Sequence, residues 1–472
     1  MIDEIEFKEI CSDKGFWRHN MKSSLIPYQK VNKEELIENL FRRINTREYY
    51  PSPPKDYLIL NKGNNVLRVV PVFKLDDLCA YFYYARKLEK YIAHNRVPGT
   101  YGGWSLSGIT RTEEKKDLAE YEKESVSVQE HDGDQFIFLD MGEYGEETNF
   151  NPLAWRASWN EFTSKIYKSS IDYQGDFVAE LDIANFYDSI KLDHLEYIIR
   201  SRTKPEDNAI VCLLFHFLKY WNRHNNFYVN QNAGLPQDLF GECSRILANF
   251  YLQSYDHQMY ELCNGLGGKY FRYADDQIIF AKSKKDIGFI TAKASSFLTK
   301  IGLNINQKKV SIKKKREFNH YFAFDALMGL GGKGDKKVAC ENIDNAIDFY
   351  LLQKSTLRAR GRTLIRAILS CLSKTDGKPS RASDLFALML TEEFLSTHPP
   401  SYVDYKRMYA QATSGQKEQL LALLNKTSKS CLHTAFLFHY RKFLAHLNID
   451  FSHVQEEINR VNSMYDLKGL MA

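Results

Sequence analysis

Two adjacent carboxylates, Asp275 and Asp276, interrupt a stretch that otherwise reads as β-strand. The run Tyr270-Phe271-Arg272-Tyr273 precedes them and the apolar run Ile278-Ile279-Phe280 follows. Charge inside a strand-forming segment is costly unless the chain turns there, and a hairpin tip presents both acids outward. Like charges side by side repel and raise one of the two pKa values, so a divalent cation is the natural partner. An all-oxygen donor set points to Mg²⁺ or Mn²⁺. Taken alone, an Asp-Asp pair in a hairpin is more often a solvated turn, so a second carboxylate site is required.

That second site lies upstream, in Asp176-Phe177-Val178-Ala179-Glu180-Leu181-Asp182-Ile183-Ala184-Asn185-Phe186-Tyr187. Phe177, Ala179 and Leu181 alternate with Val178, Glu180 and Asp182 in the period of two expected of a strand. Asp182 then sits at the strand's end, where it can face a hairpin that carries Asp275.

Between and beyond these segments lie Gly234-Leu235-Pro236-Gln237, Ser244-Arg245-Ile246-Leu247-Ala248-Asn249-Phe250-Tyr251-Leu252 and Gly302-Leu303-Asn304-Ile305-Asn306-Gln307-Lys308-Lys309-Val310. With these motifs in this order, the chain resembles the reverse transcriptase family. Two departures stand out: Asp238 replaces the usual Gly after Gln237, with Gln237 to Ser244 two residues longer than the commonest spacing, and Val310 replaces a Thr. Neither removes a carboxylate.

The resemblance implies an α+β fold: right-hand polymerase fingers and palm, the palm an antiparallel sheet with a Tyr-Ala-Asp-Asp hairpin. It implies catalytic Asp182, Asp275 and Asp276, which with the backbone carbonyl of Ile183 form the metal site. Nucleotidyl transfer builds negative charge on the attacking oxygen, the transferred phosphoryl group and the leaving pyrophosphate, and two bound metals stabilise both ends of the displacement. Tyr187 takes the position of a ring beneath the sugar, where it would exclude a 2′-hydroxyl. Gln237 belongs to the loop that holds template base and incoming nucleotide. Lys62 and Arg68 resemble the basic fingers segment that clamps the triphosphate, although the same residues also suit an exposed hairpin. Lys309 is placed to assist the leaving pyrophosphate, but the run it shares with Lys308, Lys313, Lys314, Lys315 and Arg316 also suits a solvated face or one that holds a phosphate backbone.

Composition bounds the reading. The 472 residues allow two or three domains, and the net charge of +5 is too mild for a nucleic-acid coat, so binding relies on local basic patches. No apolar run reaches the roughly 18 residues of a membrane span and the N-terminus is acidic, so the expectation is a cytoplasmic protein without a membrane partner. Eight cysteines without a C-x-x-C pair indicate neither a disulfide framework nor a zinc site.

Residues 1–60 read as an N-terminal extension containing a helix from Lys33 to Arg43, and residues 61–330 as the fingers and palm. Leu75 to Ile92 has helical apolar spacing, Glu113 to Asp134 reads as an exposed insertion, and Trp155, Trp159 and Phe162 share a helical face. Gly331-Gly332-Lys333-Gly334 lacks phosphate-loop spacing and reads as a linker. Residues 331–472 read as an all-α domain of several helices joined by polar loops.

Neither the Cys- or His-rich nuclease of group II intron proteins nor the Val-Thr-Gly element of retron enzymes is visible, and the remaining resemblance is to the bacterial antiviral reverse transcriptases of abortive infection and related defence systems. Their helical C-terminal domain is HEAT-like in some members. For that class the resemblance implies Mg²⁺, dNTPs, homo-oligomers and DNA synthesis in phage defence, in some members without a template and primed by a protein tyrosine, which leaves the DNA product covalently attached. Two rivals stay open: an RNA-templated enzyme working with a partner noncoding RNA, and a catalytically silent nucleic-acid-binding scaffold. The combination of Asp182, Asp275, Asp276 and Tyr187 argues against silence, since a scaffold has no need of such costly carboxylates.

Overall fold

The computed structural model describes residues 2–13, 15–17, 20, 26, 28, 31–61, 66–103, 106, 154–221, 234–237, 242–331, 338–357, 359–373, 375–397 and 401–465. The 113–134 segment, Lys62, Asp238 and residues 332–337 lie outside them. Among the described residues no helix is long and apolar enough to cross a membrane.

Two sheets form. Strands β1 (Asp56–Asn61) and β2 (Leu67–Val72) make an antiparallel ribbon. A five-stranded sheet combines β3 (Thr100–Tyr101), β4 (Phe177–Asp182), β5 (Lys269–Tyr273), β6 (Asp276–Ala281) and β7 (Ser311–Lys314) in the order β3-β5-β6-β4-β7. Its pairs are antiparallel except β3 with β5.

The period-two alternation of β4, β5 and β6 sorts their side chains onto two separate cores. On one face Ala179, Leu181, Tyr270, Ile279 and Ala281 join a core with helices Leu75–Ile92, Leu192–Arg200, Asn208–Tyr220, Glu242–Tyr251 and Lys284–Lys300. On the other, Val178, Phe271, Ile278 and Phe280 pack with Phe162 of helix Ala154–Asp172, with Leu58, Ile59, Val70 and Val72 of the β1–β2 ribbon, and with the C-terminal helices. The sheet is therefore buried on both sides, and burying apolar area on this scale is the main force holding it between its helices.

Local sequence explains individual elements. Helix Lys33–Asn45 starts where the Asn32 side chain accepts from the Glu35 N–H, carries Glu34 and Glu35 in its first turn and Arg42 and Arg43 in its last, and buries Ile37, Leu40 and Ile44. It runs two residues past the expected Arg43 because the chain stays helical to Asn45. Helix Leu75–Ile92 has the expected ends.

After β7 every described element is helical, from Lys315–Tyr321 to Ser452–Tyr465. This C-terminal region does not stand apart. Ile343, Ile347, Leu364, Ile368, Leu437 and Val454 share one continuous core with Phe280 and Ile278. The Ile59 N–H of β1 donates to buried Thr434 Oγ1 at 2.8 Å, which satisfies a strand N–H that would otherwise be orphaned.

Candidate active site

The antiparallel register of β4 and β6 sets Asp182 directly opposite Asp276. Tyr273 pairs with Asp276 across the β5–β6 hairpin, so Ala274 and Asp275 are the two central residues of its turn. Ala274 has φ 53° and Asp275 does not have a positive φ, the sign pattern of a type II′ turn, in which the first position favours glycine. The Ile183 N–H donates to the Asp275 carbonyl at 3.3 Å, which ties the end of β4 to the turn.

A third segment closes on the same point. Asn306 N–H donates to the Asp182 carbonyl and Ala184 N–H to the Asn304 carbonyl, both at 2.8 Å. These bonds hold residues 304–309 beside β4, where Lys309 Nζ lies 2.6 Å from Asp182 Oδ1 and Asn306 Nδ2 donates to Asp182 Oδ2 at 3.1 Å. Asp182 is buried, Asp275 half-buried and Asp276 exposed.

Burial, then the charges of Asp276 and Asp182, push the Asp275 carboxyl up to about 6 against the pull of Lys309. Burial alone would lower the Lys309 ammonium, but the hydrogen bond and charge of Asp182, with Asp275 and Asp276 beyond, hold it above its ordinary value. The site thus concentrates negative charge and already draws one cation to it.

Tyr187 lies in the short helix Phe186–Ser189, which follows Asn185 at φ 44°. Its carbonyl accepts from the Leu235 N–H at 3.0 Å. Gly234, at φ +56°, brings its backbone so close that a Cβ there would lie 2.1 Å from the Tyr187 carbonyl oxygen. The Gly-Leu-Pro-Gln loop and the Tyr187 segment are thereby one unit, with Gln237 half-buried at its end. Burial raises the Tyr187 hydroxyl pKa, and the charges of Arg245, Asp275 and Glu242 reach it, which sets the ring in the same neighbourhood as the turn. The loop is held from behind by Ser244 Oγ, which donates to the Pro236 carbonyl at 2.6 Å and lies 2.9 Å from Tyr81 Oη.

The remaining sequence candidates divide. Arg68 is on β2, exposed and paired with Leu60, at the ribbon rather than on the five-stranded sheet. Lys62 lies outside the described residues. Lys309, read from sequence as a phosphate contact or a solvated base, is an Asp182 partner. Sequence reasoning passed over Arg272, Asp256 and Asn249, which are buried behind the turn. The available signal was a full positive charge at an inward strand position beside two aromatic residues.

Among the described residues no group of three or more His, Cys, Asp and Glu is gathered tightly enough to hold a metal ion by itself. The donor set nevertheless fits one. It is all oxygen, burial and two like-charged neighbours raise the Asp275 carboxyl, and the Lys309 ammonium already stands against Asp182. Mg²⁺ sites in nucleotide-processing enzymes commonly use one or two carboxylates and take their other ligands from substrate phosphates and water.

No curated protein matched the chain. Residues 150–322 match the family model described as reverse transcriptase (RNA-dependent DNA polymerase), which contains β4 through β7 and all the residues named here from Asp182 to Lys309. Domains of this kind act on nucleotides and nucleic acid and use divalent metal ions. The chain carries a reverse transcriptase domain over residues 150–322 and is a nucleotidyltransferase enzyme.

Proposed function

We propose that the chain is a DNA polymerase that adds dNTPs at the β4–β6 carboxylates, with residues 61–330 as its fingers and palm and residues 331–472 as its helical domain. The observation that carries this reading is the strand register: Asp182 faces Asp276 while Asp275 occupies the turn between β5 and β6. Carboxylates on neighbouring strands, one of them with a raised pKa, suit a site whose charge is completed by metal and substrate.

Asp182 and Asp275 would hold the metal, with Asp276 and the Ile183 carbonyl as further ligands. Bound Mg²⁺ or Mn²⁺ supplies the charge that stabilises the attacking and leaving oxygens. The protein's own work is positional. Tyr187, held by Gly234 and Leu235, sets a ring against the sugar and disfavours a 2′-hydroxyl. Gln237 lies next along the same loop, towards the base. Lys309 is charged and half free to exchange Asp182 for a phosphate oxygen. Arg68 reaches the triphosphate from the ribbon, and Lys62 is a second triphosphate contact. The β1–β2 ribbon that carries Arg68 is packed against the C-terminal helices, so that region shapes the nucleotide side of the enzyme as well.

The setting we propose is antiphage defence by abortive infection, in the cytoplasm, by a homo-oligomer whose DNA synthesis is template-independent and primed by a protein tyrosine. A helical region fused to the polymerase core is what supports this choice over a bare templated enzyme. The test is incubation of nuclease-treated protein with Mg²⁺ and labelled dNTPs, resolved on denaturing gels with and without protease. A product whose mobility shifts with protease supports protein priming. Product only after RNA is restored supports the templated enzyme with a partner RNA, and no product under either condition overturns the polymerase reading.

A further inference from the structure

The hairpin that carries Asp275 is held from inside by a buried ion pair. Arg272 is fully buried, in the strand that leads into the turn. Its Nε donates to Asp256 Oδ1 at 2.7 Å and its Nη2 to Asp256 Oδ2 at 2.5 Å, a bidentate pair. Nη1 reaches the other way. It donates to Asn249 Oδ1 and to the carbonyl oxygen of Ala274, both at 2.7 Å. Asp256 is fixed in turn by Tyr270 Oη at 2.8 Å, and Asn249 Nδ2 donates to the carbonyls of Gly102 and Gly103. One guanidinium therefore joins the helices Glu242–Tyr251 and Gln253–Gly265 to Ala274, the first of the two central residues of the turn.

Ala274 is the residue of that turn in need of holding. It stands at φ 53°, where a side chain is disfavoured and glycine is the usual choice. A fixed donor on its carbonyl selects that conformation and, with it, the direction of the Asp275 side chain. A buried Arg–Asp pair is weak evidence for stability, since a packed apolar pair often does as well or better. What an apolar pair cannot supply is the hydrogen bond to Ala274.

We infer that Arg272, backed by Asp256 and Asn249, is a positioning residue for nucleotidyl transfer, because its Nη1 bond to the Ala274 carbonyl fixes the turn that aims Asp275. The inference rests on the reading of Asp275 as a metal ligand given under Proposed function.

The test uses the full chain and two readouts: direct Mn²⁺ binding followed by electron paramagnetic resonance, and dNTP incorporation. Arg272→Met alone leaves Asp256 buried without its partner and is expected to fold poorly, so the informative variant is Arg272→Met with Asp256→Leu. It is expected to fold, with a Tm lowered because the buried Tyr270 hydroxyl and Asn249 Oδ1 lose their partners, to bind Mn²⁺ at least tenfold more weakly, and to lose at least tenfold in kcat with nucleotide KM within twofold. Adding Ala274→Gly is expected to recover several-fold in Mn²⁺ affinity, because glycine adopts the turn without the clamp. Unchanged Mn²⁺ affinity in the folded double variant overturns the inference and leaves Arg272 a structural residue. Mn²⁺ binding that depends on both Asp275 and Arg272 in a protein that incorporates no nucleotide would uphold the positioning role and overturn the polymerase reading. If the parent binds no Mn²⁺, both fall.

Discussion

Lys309 Nζ lies 2.6 Å from Asp182 Oδ1, across 127 residues of sequence, while Asn306 donates to the second oxygen of the same carboxylate. An ammonium thus offsets part of the negative charge of the three carboxylates. The Lys309 side chain remains 61% exposed, which limits the pair to about 1 kcal/mol or less. Lys309→Met removes this competitor, and Mn²⁺ binding to the substrate-free protein is expected to tighten by roughly three- to fivefold. Weaker binding by titration would instead show that Lys309 organises the carboxylates.

Asp275→Asn is expected to lower nucleotide incorporation by about a hundredfold or more, the scale seen when one transition-state-stabilising group is lost. Stability should move the other way. Ionised Asp275 pays for burial and for two like-charged neighbours, so the neutral amide is expected to leave Tm equal or higher at pH 7. A clear fall in Tm would show that the carboxylate holds the turn together.

Gly234→Ala places a methyl group 2.1 Å from the Tyr187 carbonyl oxygen at a backbone with φ +56°. Relief requires the loop and the Phe186–Ser189 helix to separate, with loss of the Leu235–Tyr187 hydrogen bond. The expected cost is roughly 2–4 kcal/mol, read by denaturant unfolding. Discrimination against ribonucleotides should relax in the folded fraction, as it should in Tyr187→Ala. Selectivity unchanged in both variants would remove Tyr187 from the sugar side of the site.

His439 offers a pH test remote from the carboxylates. Its Nδ1 accepts from the Tyr402 N–H at 3.2 Å, which requires that nitrogen to be unprotonated. Burial, followed by the charge of Arg362, lowers its pKa to about 4, with Asp404 opposing and Arg366 and Lys442 adding to the fall. The folded state favours neutral imidazole, so the stability it contributes is present above the unfolded value near 6.5 and is lost as pH falls towards 4. Over that window the loss is at most about 3 kcal/mol. Unfolding free energies measured from pH 7.5 to 4.5 should show this acid limb, and His439→Gln should flatten it.

What the amino-acid sequence determined by itself was local. The ends of helix Leu75–Ile92, the Asn32-capped start of helix Lys33–Asn45 and the strand reading of Phe177–Asp182 follow from apolar spacing and capping groups within a few residues. A hairpin at the two acids was legible for the same reason, since charge between strand-forming runs leaves the chain little choice but to reverse, although the turn itself is Ala274–Asp275 and Asp276 begins β6. The Ala154–Asp172 helix, whose Phe162 is fully buried, was also visible in its spacing.

Tertiary structure alone decided what those pieces face. Nothing near Arg272 in sequence distinguishes a substrate contact from a clamp on Ala274, because Asp256 and Asn249 come from two other helices. Lys309 looked like one base in a run until strand order set it against Asp182. The C-terminal helices read as a separate domain, yet they share a core with one face of the sheet, and Thr434 caps Ile59 across 375 residues. Strand alternation tells that a sheet has two faces. Which helices cover each face is settled by burial summed over the whole chain, and no short window of sequence contains that sum.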